Sequence, residues 1–368
     1  VAFAADESAL AGEKNQHKHR EVEVNSQTFS RREFIGGLAI AGATAPLMAK
    51  AAAREVVKPK ALRQGDTVGL VAPASPVFEA REVDEGIRAL ENLGFRVKKG
   101  DHLHSRRGYL AGSDEERAQD LHGFFQDPEV RAIVALRGGY GTLRLLPLLD
   151  YELIRRHPKI VLGYSDLTSL HLAIHRQAGI VTFHGAVALS TFNDYSKRYL
   201  YRTLGSASPC GQIENPPDMV VRLLGRSNRR AQGPLVGGNL TLVCASLGTP
   251  HEIETAGKIL FLEEVGEEPY SIDRMLSQLR QAGKLEQAAG ILVDRCARCK
   301  PADYKPAFYN SLSVEEVLED LLGDLDCPVL IDLSIGHVAD KPVLPLGIRA
   351  EIDPQSRTFS LVEGAVVE

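Results

Sequence analysis

The chain has 368 residues, 44% of them hydrophobic and 25% charged, with a net charge of −5 at pH 7. That balance belongs to an ordinary soluble globular protein, and the length suggests two domains. No basic excess or nucleic-acid motif points to a nucleic-acid partner.

Residues 1–29 are polar and of mixed charge, without apolar periodicity, so disorder is expected there. "SRREFIGGLAIAGATAPLMAKAAA" follows, with the pair Arg31 and Arg32, then Phe34 and Ile35, then an Ala/Gly-rich apolar run to about Ala49. Small-x-small triplets close it, at Ala49-Lys50-Ala51 and Ala51-Ala52-Ala53. This is the layout of a secretory signal of the twin-arginine type. A membrane anchor is the competing reading, but the segment is short and glycine-rich for a stable span. The mature chain is expected in the periplasm, starting near residues 52–54. No second apolar stretch is long enough to cross a membrane, so no stable insertion of the mature chain is expected.

"GDTVGLVAPAS" (65–75) reads as a short buried strand ending in a loop. Val83, Ile87 and Leu90 share one face of a helix that stops at Gly94. "FRVKKG" is a second strand, and Ser113 with Glu116 three residues on forms a capping box for the next helix. "VRAIVALRGGYG" is a strand running into a glycine-rich corner, and "GTLRLLPLL" is expected to open a helix. "KIVLGYSD" is a strand, "LTSLHLAIHRQAG" a helix and "IVTFHGA" a further strand. The alternation implies a parallel sheet covered by helices, with ligands beyond the carboxyl ends of its strands.

The pattern weakens over 193–235, which reads as a linker or crossover. A second unit follows: "GPLVGGNLTLVCASLGTP", the strand "GKILFLEEV", the helix "SIDRMLSQLRQAG", the strand "GILVD", the helix "SVEEVLEDLLGDL" and a β-rich end. The expected fold is α/β, with a mostly parallel N-terminal sheet flanked by helices and a smaller C-terminal α/β domain. The boundaries are 1–53 for the N-terminal extension and signal, 54–205 for the first domain, 206–232 for the linker and 233–368 for the second domain.

Ser165 stands at the corner between a buried strand and a helix. Such a corner can hold a side chain out at the sheet's edge, or the serine can simply cap the helix. Gly138 and Gly139 in "RGGYG" allow the backbone to approach a ligand, and their N–H groups could hold an oxyanion; a tight turn explains them equally. Glu263 and Glu264 end a buried strand, where polar residues often just reach water. His337 follows the apolar run "PVLIDL" and is a general-base candidate or a surface histidine. His171 and His175 lie at i, i+4 without an obvious third metal ligand. Cys296 and Cys299 have C-x-x-C spacing but no second pair to complete a zinc site; a local disulfide and a solvated pair of thiols both fit. Together, serine, glycine corner, strand-end carboxylate and strand-end histidine can be assembled as nucleophile, oxyanion hole, orienter and base. The motif G-Y-S-D is not the G-x-S-x-G of α/β-hydrolases.

The stretches "GYLAGSDEERAQDL", "ALRGGYGTLRLLPLLDY", "GYSDLTSLHLAI", "GGNLTLV", "ILFLEEVGEEPYSIDRMLSQL" and "GHVADKPVLPLG", in this order, resemble the LD-carboxypeptidase (muramoyltetrapeptide carboxypeptidase) family, relatives of the microcin C self-immunity peptidase. The resemblance runs over about residues 62–352. It implies Ser165 as nucleophile, Glu263 rather than Glu264 as orienting acid and His337 as base. It implies an oxyanion hole from the backbone N–H groups of Asp166 and Gly139, and a site between the two domains. It also implies a serine enzyme without metal or other cofactor, acting on the bond to a terminal D-alanine in peptidoglycan tetrapeptides. V-A-D-K after His337 departs from the small residue expected there and bears on loop shape and substrate preference. The competing functions are a periplasmic solute-binding protein and a peptidase acting on a peptide–nucleotide antibiotic. A homodimer is left open.

Overall fold

The computed structural model describes residues 55–368. The disorder and the twin-arginine signal expected before residue 54 lie outside the described residues.

The first sheet is built from β1 (Thr67–Val71), β2 (Arg96–Lys99), β3 (Val130–Ala135), β4 (Ile160–Gly163), β5 (Thr182–His184) and β12 (Leu344–Leu346), in the order β12-β5-β4-β3-β1-β2. The strands β1 to β5 are parallel to their neighbours, and β12 closes one edge antiparallel to β5. Alternation in β4 explains why the sheet is covered on both faces: Ile160 and Leu162 join one apolar cluster, Val161 another. Helix α1 (Arg81–Asn92) buries Val83 and Leu90 and partly buries Ile87, as their spacing predicts. Helix α2 (Asp114–Gln126) starts at the Ser113–Glu116 capping box.

Two segments depart from expectation. "GTLRLLPLL" does not open a helix but forms two single 3₁₀ turns, Thr142–Arg144 and Leu146–Leu148. Pro147 has no N–H with which to continue a helix, and a new one, α3 (Tyr151–Arg156), starts only where the Asp150 carboxylate accepts from Leu153 N–H. After α4 (Thr168–Ala173), the start of the weakly patterned 193–235 stretch folds as α5 (Asp194–Leu204), capped by Asn193. Its buried face is Ser196, Tyr199, Leu200, Thr203 and Leu204, so small polar groups dilute the apolar stripe that sequence reading relies on.

The second sheet has eight strands in the order β6-β14-β13-β8-β9-β10-β11-β7. Its parallel middle is β8 (Ala231–Asn239), β9 (Ile259–Glu263), β10 (Gly290–Asp294) and β11 (Val329–Leu333). Antiparallel β13 (Arg349–Asp353), β14 (Thr358–Leu361) and β6 (Gly211–Ile213) extend one side, and β7 (Arg222–Leu223) ends the other. The 206–232 stretch expected as a linker therefore supplies both edge strands, because an open sheet leaves unpaired backbone groups that even short polar segments can satisfy. Helix α6 (Leu240–Ala245) follows β8 directly. Helices α7 (Pro269–Gln281) and α8 (Val314–Leu322) cover the sheet through Ile272, Leu276, Leu279, Val317, Leu318 and Leu322. The capping box of α8 pairs Ser313 with Glu316. Among the described residues no helix is long and apolar enough to cross a membrane.

Candidate active site

Ser165 follows β4 with a φ of 64°, in the left-handed region that a residue with a Cβ rarely occupies. It begins a 3₁₀ turn, Ser165–Leu167, that feeds α4. Its side chain caps nothing there, and Tyr164 holds the cap position without a side-chain bond. The cap reading is thereby replaced: Ser165 Oγ instead lies 3.2 Å from His337 Nε2. The other ring nitrogen, His337 Nδ1, lies 2.6 Å from Glu263 Oε2. A carboxylate only accepts, so Nδ1 carries the hydrogen and the Nε2 lone pair faces the serine hydroxyl.

The glycine corner comes up beside this serine. A Cβ on Gly138 would stand 3.1 Å from Ser165 Cβ, and Gly139 has a φ of +123° and lies against Ser75 in the loop after β1. The next residue, Tyr140, donates its N–H to Ser75 Oγ at 3.0 Å. Asp166 is buried; its carboxylate accepts the Thr142 N–H at 2.9 Å, and burial raises its pKa. The corner and the serine turn are thus one hydrogen-bonded unit. It gathers the loops after β1, β3 and β4 at the carboxyl edge of the sheet, where such folds bind ligands.

Alternation along β9 allows only one of the adjacent glutamates to face the histidine, and that one is Glu263. Glu264 points elsewhere: it accepts from Asn239 Nδ2 (2.9 Å), Thr241 N–H (2.9 Å), Thr241 Oγ1 (2.7 Å) and Val265 N–H (2.9 Å). It is a buried anchor at the start of α6. His337 reaches Glu263 because Gly336 has no side chain; a Cβ there would sit 2.6 Å from Glu263 Cβ.

Sequence reasoning missed several neighbours. Asn239 donates its backbone N–H to Thr168 Oγ1 at 3.0 Å and so ties the helix after Ser165 to the second sheet. Tyr164 presents its ring to His337, centroids 4.8 Å apart, and holds Lys341 Nζ 4.0 Å from its centroid. Lys341 is the basic residue of the V-A-D-K departure. His184 packs edge-on against Tyr164 and Phe261, and burial keeps it far below its usual pKa. Asp294 was visible as the polar end of "GILVD", the same signal as Glu263, but nothing local distinguishes it from a strand end reaching water.

Other candidates do not join the site. His171, buried on α4, and His175, partly buried in the turn after it, face the backbone carbonyls of Gly163 (2.8 Å) and Ile180 (3.3 Å), and desolvation lowers the pKa of both to about 4. Among the described residues no cluster of His, Cys, Asp or Glu could hold a metal ion. All five cysteines are free; Cys296 is buried and Cys299 partly so. A cleft of about 580 Å³ opens beside the His337 loop, lined in part by Arg295, Arg298, Lys300, Ser334, Val338 and Asp340.

The arrangement suits acyl transfer: a hydroxyl on a strained turn, an imidazole whose tautomer is fixed by a carboxylate, and a glycine corner beside the hydroxyl. The sequence profile of the LD-carboxypeptidase N-terminal domain matches residues 68–185, and that of the C-terminal domain residues 232–352. The chain is 44% identical over 316 residues to the probable murein peptide carboxypeptidase of Bacillus subtilis, covering 84% of this chain and 96% of that one. It is 34% identical over 295 residues to the murein tetrapeptide carboxypeptidase of Pseudomonas aeruginosa, covering 78% and 92%. The crystal structure of muramoyltetrapeptide carboxypeptidase from Oxalobacter formigenes superposes with a TM-score of 0.69 at 28% identity, covering 82% of this chain and all of that one. The two-domain match places the serine turn in one half of the family's frame and the Glu263 strand and His337 loop in the other; the chain belongs to the LD-carboxypeptidase family of serine-type carboxypeptidases.

Proposed function

We propose that the protein removes the terminal D-alanine from peptidoglycan tetrapeptides, by a Ser165–His337–Glu263 mechanism. The observation that carries this reading is the relay of contacts, 3.2 Å from Ser165 Oγ to His337 Nε2 and 2.6 Å from His337 Nδ1 to Glu263 Oε2. Ser165 attacks the carbonyl carbon before the D-alanine as His337 takes its proton. Glu263 fixes the tautomer and stabilises the imidazolium. The backbone N–H groups of Asp166 and Gly139 hold the oxyanion, each donor contributing about 3–4 kcal/mol in comparable sites. The imidazolium then gives its proton to the leaving amine. Water, activated by the same histidine, releases the shortened peptide from Ser165. The substrate lies along the cleft beside His337, where Arg295, Arg298 and Lys300 suit the carboxylates of an acidic peptide.

The test is incubation of the protein with a disaccharide tetrapeptide ending in D-alanine, with the products weighed. Free D-alanine and the tripeptide are expected, and a peptide ending in L-alanine should survive. Cleavage of any other bond, or none, would overturn the reading. Arg31 and Arg32 before the apolar run support export by the twin-arginine route to the periplasm, where this substrate lies. The double change Arg31→Lys with Arg32→Lys should retain the precursor in the cytoplasm; unchanged periplasmic levels would refute the route.

A further inference from the structure

We propose that Asp294, at the end of β10, is a positioning residue for this reaction: its carboxylate ties down the backbone that carries His337 and acts on the histidine through Glu263. The proposal rests on the reading of Ser165, His337 and Glu263 given above.

Asp294 is 1% exposed, in a place where an unpaired carboxylate would be costly. Its Oδ1 accepts the N–H groups of Ile335 and Gly336, both at 3.2 Å, and its Oδ2 accepts Cys296 N–H at 3.2 Å. Ile335 and Gly336 are the two residues that lead into His337. One side chain on β10 therefore fixes the approach of a loop that leaves β11, and it also holds the turn that begins at Cys296, which has a left-handed φ of 52°.

Asp294 also shares its pocket with Glu263. A Cβ on Gly336 would lie 2.8 Å from Asp294 Oδ2 and 2.8 Å from Glu263 Oε2, so the two carboxyl groups bracket the same glycine. The second oxygen of Glu263, Oε1, is buried and has no hydrogen-bond partner among the described residues. Burial first, and the Glu263 charge second, push the Asp294 carboxyl up to about 7. The other titratable groups around the pair are His337 on its loop, Glu264 beyond Glu263 on β9, and the Cys296 and Cys299 thiols after β10.

Toward and above pH 7, where its carboxyl ionises, Asp294 adds negative charge behind Glu263 and favours the imidazolium. Removing that charge lets His337 stay neutral, and so act as base, to lower pH. Asp294→Asn keeps Oδ1 as an acceptor for Ile335 and Gly336 but cannot ionise. Its acid limb of kcat/KM should move down by up to about half a pH unit, the effect of one nearby, partly screened and partly ionised charge, with kcat within about tenfold of the parent. Asp294→Ala, which frees the loop, should lose about 10²-fold in kcat with KM little changed, as for a small misplacement of a catalytic group.

The experiment measures kcat and KM against pH for the parent and both variants on the tetrapeptide. In parallel, the imidazole C–H signal of His337 is titrated by NMR without substrate. A lower His337 midpoint in Asp294→Asn than in the parent supports the proposal; identical midpoints overturn it whatever the substrate proves to be. If Asp294→Ala fails to fold, the Asp294→Asn titration alone decides. A shifted midpoint in an enzyme that does not cleave the tetrapeptide leaves this coupling standing and removes the proposed function instead.

Discussion

Ser165 and His337 meet from two sheets, and each is held differently. The serine is placed by its own backbone, with a φ of 64°, and by the close approach of Gly138. The histidine is placed by side chains remote in sequence: Glu263 at 2.6 Å on Nδ1 and Asp294 on the N–H groups just before it. The first region stores conformational strain, of about 1–3 kcal/mol for a non-glycine residue in such a conformation. The second stores charge, in carboxyl groups that are almost wholly buried. Nearly the whole cost on the serine side is local; on the histidine side it depends on the fold being complete. Substitutions should therefore report backbone geometry on one side and electrostatics on the other.

The largest effect is expected at the serine. Ser165→Ala keeps the turn but removes the hydroxyl that His337 faces, so kcat should fall by on the order of 10⁵–10⁶, as for nucleophile loss in other triads. A variant with more than about a tenth of parent activity would put the nucleophile elsewhere.

Next comes the pair of glutamates on the charge side. Glu263→Gln should lose on the order of 10⁴ in kcat, the loss seen when an orienting acid becomes an amide. Glu264→Gln should keep kcat within about tenfold, yet lose about 1–3 kcal/mol of stability, because an amide nitrogen would face donors now satisfied by the carboxylate. Turnover and thermal melts of both variants check this. The reverse ranking moves the orienting role to Glu264, and two mild effects on kcat remove the triad.

The smallest effect tests strain alone. Ser165→Gly and Ser165→Ala should be equally inactive, but the glycine variant should be more stable by about 1 kcal/mol, since glycine enters the left-handed region without a Cβ penalty. Equal melting temperatures would mean that the serine turn is not strained.

The same contrast explains what could be read from the sequence. "GYSD" after an apolar strand located the serine corner, and the periodicity of α1 and the capping box of α2 located their helices. Local chemistry carries such signals. The partner of His337 could not be read locally, because both faces of β9 are apolar and alternation separates Glu263 from Glu264 without ranking them. The family resemblance ranked them. Asp294 stayed hidden because a carboxylate that ends a strand looks the same whether it meets water or a backbone turn more than forty positions away. Helix α5 escapes the pattern because Ser196 and Thr203 interrupt its apolar face, and "GTLRLLPLL" suggests a helix that does not form because Pro147 breaks a leucine-rich run that otherwise suits one.

The strand β12 has a consequence for how the chain can be made. It comes from residues 344–346, after the whole second sheet, yet it pairs with β5 of the first. As the polypeptide leaves the ribosome, β5 has no neighbour on that side until nearly all of the chain has been synthesised. The N-terminal half released alone would present a bare strand flank, a template for intermolecular pairing. The two halves thus form a single unit of biogenesis, and a fragment ending before β12 is expected to aggregate rather than to persist as an independent, folded serine-bearing domain.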